Sequence, residues 1–276
     1  MPQVSFEFFP PKSPAGLEKL LQTARELATL APEYLSVTYG AGGSTRERTL
    51  AAVEALHRAD LAEVAPHLSG IGADRHGLGE LLHHYEVLGI RRVVALRGDL
   101  PSGMVQHGPF PYAEDLVRFI REQTGGRFHV EVAAYPEMHP QSPSPSADLQ
   151  RFVDKVRAGA DGAITQYFYN ADAYFRFCEE AQGAGIDVPI VPGIMPITNY
   201  TQLARFSDAC GAEIPRWIRR RLEDFGDDMT SLRRFGQDVV SELSARLLAG
   251  GAPGLHFYTL NQAAPTREIW QAVASG

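Results

Sequence analysis

Arg97 and Asp99 are the first residues of the chain whose types and spacing suggest chemistry. They flank Gly98 directly after the apolar run 93–96, a pattern that predicts a buried strand ending in a polar turn. In parallel α/β proteins, ligands bind beyond the carboxyl ends of the strands. The pattern therefore predicts a ligand-binding Arg97 and Asp99 or, as the alternative, an ion pair that only holds the loop.

Glu7 is a second candidate because it lies between Phe6 and Phe8 in a predicted strand. Removing a carboxyl group from water disfavours its charged form. An acid that keeps its proton near neutral pH can act as a general acid in catalysis. Glu7 is therefore a candidate proton donor, unless it pairs with an Arg or Lys inside the fold, as structural carboxylates also do.

Histidines and glycines at other predicted strand ends give weaker signals. His67 follows Pro66 and could be a metal ligand, a base or a packed polar side chain. His67 and His139 could join Asp99 around a metal, but the chain contains neither H-x-H nor H-E-x-x-H spacing, so no metal is predicted. The glycine-rich residues 40–43 precede a helical pattern and could bind phosphate through backbone N–H groups, or form a plain turn.

Eight alternations of strand and helix are predicted to position these side chains. The predicted strands cover residues 4–9, 34–39, 66–70, 93–97, 129–135, 162–168, 188–194 and 254–259, and helical patterns of apolar residues separate them. Extra helices fall between strands seven and eight, and no linker interrupts the order. The sequence therefore predicts one α/β domain over residues 1–276, folded as a (β/α)₈ TIM barrel.

The composition excludes several classes of protein. Hydrophobic residues make up 44% of the chain, as in an ordinary globular protein. The net charge is −7 and there is no basic run, which argues against a nucleic-acid partner. No apolar run approaches about 18 residues, so no membrane span is expected. The two cysteines, Cys178 and Cys210, cannot build a disulfide framework. Together with the lack of a signal-like leader, this predicts a cytoplasmic protein.

Eight short motifs, one near the end of each predicted strand, occur in a characteristic order. They are SFEFFPP at 5–11, SVTYGA at 36–41, APHL at 65–68, ALRGD at 95–99, AAYPE at 133–137 with HP at 139–140, ITQ at 164–166, PGIMP at 192–196 and FYTLN at 257–261. Together they closely resemble bacterial methylenetetrahydrofolate reductase, a flavin-dependent (β/α)₈ barrel family. The resemblance extends over essentially the whole chain.

The resemblance implies a ping-pong reaction that uses FAD as the bound cofactor. NADH or NADPH would reduce the flavin and leave, and 5,10-methylenetetrahydrofolate would then take its place and be reduced to 5-methyltetrahydrofolate. It also implies that the protein is a homo-oligomer. The preference between NADH and NADPH stays open.

The same resemblance implies roles for individual residues. Glu7 would be the general acid that protonates the departing N10 of the folate, and Asp99 would contact both flavin and pterin. The positions that match FAD-binding residues of the family are Thr38, His67, Arg97, Gly98, Asp99, Tyr112, Tyr135, His139, Asp148 and Lys155. The positions that match folate-binding residues, besides Glu7 and Asp99, are Gln166, Gln202, Phe206 and Gln262.

The chain departs from the family pattern at three positions near these sites. Gln262 stands where some members carry an Arg, and Arg151 and Asp154 stand where relatives have Asn and Arg next to FAD. Two rival functions are a related barrel enzyme that uses a pterin without FAD, and a non-catalytic subunit that binds a pterin or flavin. An acid at Glu7 argues against the second, because binding alone does not require one.

Overall fold

A computed structural model of the protein describes residues 2–39, 43–98 and 108–274. The predicted ligand Asp99 and residues 40–42 of the glycine-rich segment lie outside these ranges.

Parallel β-strands form the wall of a barrel at the centre of the described chain. The strands are β1 Gln3–Phe8, β2 Tyr34–Val37, β3 Glu63–Ser69, β4 Arg92–Leu96, β5 His129–Ala134, β6 Gly162–Thr165, β7 Ile190–Val191, β8 Gly193–Ile194 and β9 Gly254–Tyr258. They pair in the order β7-β6-β5-β4-β3-β2-β1-β9-β8. Because only Pro192 separates β7 from β8, the two ends of the sheet meet and the barrel nearly closes. The predicted TIM-barrel fold is confirmed.

The predicted seventh strand, residues 188–194, is wrong in one respect: it is divided into β7 and β8 at Pro192. Proline has no backbone N–H group and cannot donate to a strand ladder. Its carbonyl still accepts the His256 N–H at 3.0 Å. Gly193 N–H donates to the hydroxyl Oγ1 of Thr165 at 2.9 Å. We call this region, Ile190–Ile194 with its partners Thr165 and His256, the seam of the barrel.

Outside the predicted seventh strand, three predicted strand limits differ from the structure by two or three residues, and the remaining differences are of one residue. β3 begins at Glu63, three residues before the predicted start, because Pro66 is accommodated inside the strand opposite Val37. β2 and β6 end at Val37 and Thr165, before the predicted limits.

Helices surround the barrel and cover its outer face. They are α1 Pro14–Ala28, α2 Gly43–Ala59, α3 Arg75–Leu88, α4 Ala113–Thr124, α5 Pro145–Arg157, α6 Ala171–Gly183, α7 Tyr200–Cys210, α8 Arg216–Asp224, α9 Met229–Ala249 and α10 Ala263–Ala274. The helices α7, α8 and α9 lie between the seam and β9, where extra helices are predicted. Across the described ranges, none of the helices has the length and apolar character needed to cross a membrane.

Side-chain alternation along the strands separates two interiors. Phe6, Phe8 and Leu35 are fully buried in the apolar layer between the barrel and the helices. The intervening residues of β1 and β2, among them Ser5, Glu7 and Tyr34, point into the barrel, because successive side chains of a strand face opposite sides. The register thus brings Glu7 to the inside of the barrel, near the carboxyl end of β1.

Candidate active site

The Glu7 carboxyl group lies inside the barrel between two histidines from different strands. Its Oε2 atom is 3.4 Å from Nε2 of His67 on β3 and 3.5 Å from Nε2 of His256 on β9. The Glu7 side chain is 9% exposed, and the two imidazoles are 7% and 0% exposed. These contacts are longer than ordinary N–H···O hydrogen bonds, and neither Nε2 atom has a hydrogen-bond partner among the described residues.

The charge state of His67 follows from its burial. Burial lowers the pKa of His67 below its usual value of 6.5, although the neighbouring Glu7 carboxyl acts in the opposite direction. His67 is therefore neutral at pH 7. The sequence left open whether Glu7 pairs with an Arg or Lys inside the fold. In the described part of the chain, the basic side chains within 4 Å of its carboxyl group are the two histidines.

The motif at 257–261 fixes the end of β1 and thereby the position of Glu7. The Thr259 hydroxyl donates to the Glu7 carbonyl at 2.6 Å. The Asn261 side chain accepts the Phe9 N–H and donates to the Phe9 carbonyl, both at 2.9 Å. Asn261 reaches Phe9 in the left-handed backbone region, with φ of 55°, which asparagine tolerates better than most residues. These hydrogen bonds therefore hold the end of β9 against β1, the strand that carries Glu7.

A cavity of about 420 Å³ opens at the carboxyl ends of β4 and β5. This volume is within the range of small-molecule sites. Seven of the ten positions predicted to hold FAD line it: Arg97, Gly98, Tyr112, Tyr135, His139, Asp148 and Lys155. The structure thus brings together residues that follow β4 and β5, the residue that precedes α4 and two residues of α5, which are far apart in the sequence.

Lys155 is the most deeply buried cation of this cavity, with 8% of its surface exposed. Burial lowers its pKa from 10.5 to about 8, against the opposing effect of Asp148 and Glu114. Its ammonium group donates to the Ala133 carbonyl. Lys155 is therefore a cation whose charge depends on pH close to neutrality.

Two arginines place further positive charge around the same cavity. Arg151 pairs with Glu114 at 2.8 Å and stacks 3.6 Å from the centre of the Tyr112 ring. Arg97 donates to the Gln141 side chain at 2.5 Å. Arginine forks of this kind bind phosphate or carboxylate oxygens in two-point contacts.

The loop that carries His139 is held by its own hydrogen bonds. The His139 N–H donates to Asp148 at 3.1 Å, and its ring Nδ1 accepts the Gln141 N–H at 3.0 Å. Since Nδ1 acts as an acceptor, the ring proton of the neutral imidazole is on Nε2. Tyr135 packs edge-on against this ring, with 4.6 Å between the ring centres.

Gly98 at the rim of the cavity cannot be replaced without strain. Its φ is +85°, and a Cβ atom there would be 2.2 Å from the Ser69 hydroxyl. The cationic side chains and the two aromatic rings of the cavity together fit a dinucleotide such as FAD, whose diphosphate needs cations and whose rings need flat apolar contacts.

The remaining predicted site residues do not line this cavity. Thr38 follows β2, where its carbonyl accepts the Thr49 hydroxyl, and His67 contacts Glu7 instead. Gln166 follows β6 and accepts the Tyr167 N–H through its side chain at 3.0 Å. Gln202 and Phe206 are half-buried on one helix, α7, while Gln262 is exposed after β9.

Sequence reasoning missed His256, Glu114 and Gln141. His256 lies in an apolar and aromatic strand pattern, and only the pairing of β9 with β1 shows that it faces Glu7. Its separation of two residues from the rim residue Tyr258 was the one available signal, because alternate strand residues share a face. Glu114 and Gln141 act through Arg151 and Arg97, so their roles depend on tertiary contacts.

Comparison with known proteins assigns this barrel to a family. The family model for methylenetetrahydrofolate reductase matches residues 1–274. The chain is 40% identical to the 5,10-methylenetetrahydrofolate reductases of Pectobacterium carotovorum subsp. carotovorum over 262 residues and Escherichia coli (strain K12) over 260 residues, in each case 94% of this chain and 86% of the relative. Among solved structures, an uncharacterized protein from Clostridium thermocellum that binds two copies of 5-methyl-5,6,7,8-tetrahydrofolic acid has the same fold. Its TM-score is 0.70 at 16% identity, covering 99% of this chain and 94% of that one.

Proposed function

The chain belongs to the methylenetetrahydrofolate reductase family, and we propose that it reduces 5,10-methylenetetrahydrofolate to 5-methyltetrahydrofolate with FAD and NADH or NADPH. The observation that carries the proposal is the buried Glu7 carboxyl, which faces two imidazoles near the carboxyl end of β1. Family membership supplies the substrate, and Glu7 supplies the acid that its ring opening requires.

Glu7 acts as the general acid in this proposal. The methylene bridge of the folate joins N5 and N10, and its opening to the 5-iminium cation leaves N10 with an additional electron pair. Protonated Glu7 donates its proton to the departing N10, so that the methylene carbon becomes electrophilic and accepts a hydride. A positioned acid of this type typically contributes about 10²- to 10⁴-fold to the rate.

The cavity lined by Arg97, Tyr135 and Lys155 is the proposed FAD site. The chemistry that FAD supplies when bound is the storage of a hydride between the two substrates. Arg97, Arg151 and Lys155 would bind its anionic groups, while Tyr112 and Tyr135 offer ring faces or edges for packing. Thr38, His67 and Asp99 complete the set proposed from the family resemblance.

Folate would take the place that nicotinamide leaves, which the ping-pong order implied by the resemblance allows because the first product departs before the second substrate binds. The proposed folate contacts are Glu7, Asp99, Gln166, Gln202, Phe206 and Gln262. Gln166 and Gln202 provide amide groups that can both donate and accept hydrogen bonds to a pterin. Phe206 is half-buried on α7 with the Arg205 guanidinium 5.6 Å from its ring centre, and its ring can stack on the bound substrate.

The visible absorption spectrum of the purified protein tests this proposal. Flavin bands should bleach with NADH or NADPH under anaerobic conditions and return when methylenetetrahydrofolate is added. A protein that is colourless and does not take up added FAD would favour the flavin-free pterin enzyme. Bands that bleach but do not return with the folate would exclude the proposed substrate while leaving the flavin assignment intact.

A further inference from the structure

His256 is a buried, titratable residue for which the proposed mechanism has no role so far. Its side chain is fully buried, and its two nitrogens have different surroundings. Nδ1 is 2.7 Å from the hydroxyl of Ser5, two residues before Glu7 on β1. Nε2 points at Glu7 Oε2, 3.5 Å away, and has no hydrogen-bond partner among the described residues.

The direction of the Ser5 hydrogen bond is linked to the nitrogen of a neutral His256 that carries the proton. If the Ser5 hydroxyl donates to Nδ1, the imidazole proton must be on Nε2, where it faces Glu7. In the opposite arrangement Nε2 would present a lone pair to the carboxyl group. A lone pair would repel the carboxylate that remains after Glu7 has given away its proton, whereas an N–H group would stabilise it.

We propose that Ser5 and His256 form a positioning pair that presents an Nε2–H donor to Oε2 of Glu7. The pair stabilises the carboxylate that proton donation leaves behind, and it holds Oε2 so that Oε1 is left for the substrate. Hydrogen bonds of catalytic groups are often long without substrate and shorten in the reacting complex, which fits the present 3.5 Å. This inference rests on the proposed role of Glu7 as the acid.

Groups on four strands face this pair, and each bears on its pH dependence. Glu7 and Ser5 lie on β1 and His67 on β3. The Tyr34 ring of β2 stacks on the His256 ring at 5.9 Å, and the Tyr258 ring of β9 packs edge-on at 5.5 Å. Burial raises the pKa of both tyrosines far above neutrality, so they stay uncharged. His67 is neutral as well, and of the two histidines only His256 has its Nδ1 held by a described residue.

Two isosteric substitutions separate donation from packing. His256→Gln places an amide N–H near the position of Nε2, and His256→Asn places its amide near Nδ1 and leaves Glu7 without a donor. We expect His256→Asn to slow reoxidation of the reduced enzyme by methylenetetrahydrofolate about 10- to 100-fold, the usual range for a hydrogen bond to a charged group. His256→Gln should recover most of this rate, and in both variants reduction by NADH should change by less than about threefold.

The pH profile gives a readout that a packing defect would not move. A carboxyl group that loses its donor keeps its proton to higher pH. The alkaline limb of the folate half-reaction should therefore move to higher pH in His256→Asn and Ser5→Ala, and return toward the wild-type position in His256→Gln and Ser5→Thr. The proposal would be overturned in favour of a structural role if His256→Gln and His256→Asn slowed both half-reactions equally and left the alkaline limb of the pH profile at its wild-type position.

A spectroscopic measurement tests the pair independently of activity. Two-bond ¹H–¹⁵N spectra of histidine-labelled apoprotein should show His256 with its proton on Nε2, and Ser5→Ala should weaken this preference. A wild-type His256 protonated on Nδ1 would overturn the proposal whether or not the protein reduces folate. A wild-type protein that shows the Nε2 tautomer but does not reduce methylenetetrahydrofolate would instead refute the proposed function.

Discussion

Two buried clusters of titratable side chains lie in the described part of the barrel, one toward each end, and they are built in opposite ways. Toward the amino end, one cation, Arg92, binds three carboxylates: Glu33 at 2.5 Å, Glu131 at 2.9 Å and Glu63 at 3.1 Å. Toward the carboxyl end, one carboxyl group, Glu7, faces two imidazoles at 3.4 and 3.5 Å. The first cluster uses short bonds to all three guanidinium nitrogens, although Glu131 Oε2 has no hydrogen-bond partner of its own among the described residues. In the second cluster, both imidazole Nε2 atoms lack a hydrogen-bond partner among the described residues.

The difference fits a structural role for the cluster around Arg92 and the catalytic role proposed for the cluster around Glu7. Burial alone would lower the pKa of Arg92, but Glu33, Glu131 and Glu63 together raise it, so its charge is fixed. The barrel even provides space for this cluster at Gly162, where a Cβ atom would be 2.5 Å from Glu131 Oε2. Buried polar atoms without protein partners are rare in native proteins, and each calls for an explanation such as a catalytic role or a bound water. The proposed role of Glu7 would supply one for the two imidazoles, because a proton donor has to exist in two charge states.

Glu7→Gln should have the largest effect on activity among substitutions in the cluster around Glu7. The amide preserves shape but cannot donate a proton as an acid, so folate reduction should fall about 10²- to 10⁴-fold while FAD binding and reduction by NADH persist. Stopped-flow measurement of the two half-reactions checks this outcome. Normal folate turnover in this variant would remove Glu7 from the role of acid.

Arg92→Met should have the largest effect on stability. It leaves three carboxylates without their cation, and breaking a buried ion cluster in this way costs about 3–5 kcal/mol. Urea unfolding measures the loss. The matched control is Arg267→Met, which removes the exposed pair with Glu26 at 3.5 Å and should cost less than about 1 kcal/mol. Equal losses in the two variants would show that the amino-end cluster is not a stabilising unit.

Lys155 should make FAD binding dependent on pH, unlike the permanently charged Arg92. The ammonium form attracts an anionic cofactor and the neutral amine does not. Because the pKa of Lys155 is lowered to about 8, affinity should fall as the pH rises through this value, by about tenfold in total. Titration of the apoprotein, followed by flavin fluorescence, measures the profile. Lys155→Arg keeps the positive charge at all these pH values and should flatten the profile. If Lys155→Met left the slope of affinity against pH unchanged, the dependence would belong to another group.

His67 should contribute the smallest effect, a pH dependence of stability. Its pKa is about 6.5 in the unfolded chain and lower in the folded protein, because burial disfavours its charge. Below pH 6.5, His67 is therefore protonated in the unfolded chain but still neutral in the folded protein. Because the unfolded state binds the additional proton, the free energy of unfolding falls as the pH falls toward the folded pKa. His67→Gln should make this curve flatter. His76→Gln, at an 86% exposed side chain, should leave it parallel to that of the wild type.

The sequence predicted the barrel and the removal of Glu7 from water for simple physical reasons. Strand and helix periods are local, and eight of their alternations leave few other folds. Of the seven predicted residues that line the cavity, Arg97, Gly98, Tyr135 and His139 belong to motifs at strand ends, whereas Tyr112, Asp148 and Lys155 followed only from the family resemblance. Asp99 lies outside the described residues and stays a prediction, as do the roles of all these side chains.

Other features depend on contacts between distant parts of the chain and had no local signal. Arg92 is at the start of its strand like many surface arginines, and only the register of β2, β3 and β5 shows its three carboxylates. His256 gains its role from the pairing of β9 with β1, which joins the two ends of the chain. The division at Pro192 also depends on such contacts, because β7 pairs with β6 and β8 pairs with β9.

The seam limits which amino-acid substitutions the barrel can tolerate. Most of the barrel wall is joined by backbone hydrogen bonds, which any residue except proline can form. At the seam, one joint depends on the Thr165 hydroxyl and on a glycine at 193, where a Cβ atom would be 2.2 Å from the Thr165 carbonyl oxygen. Mutational tolerance should therefore be uneven around the ring, and a deep mutational scan would find positions 165 and 193 nearly invariant beside more permissive strands.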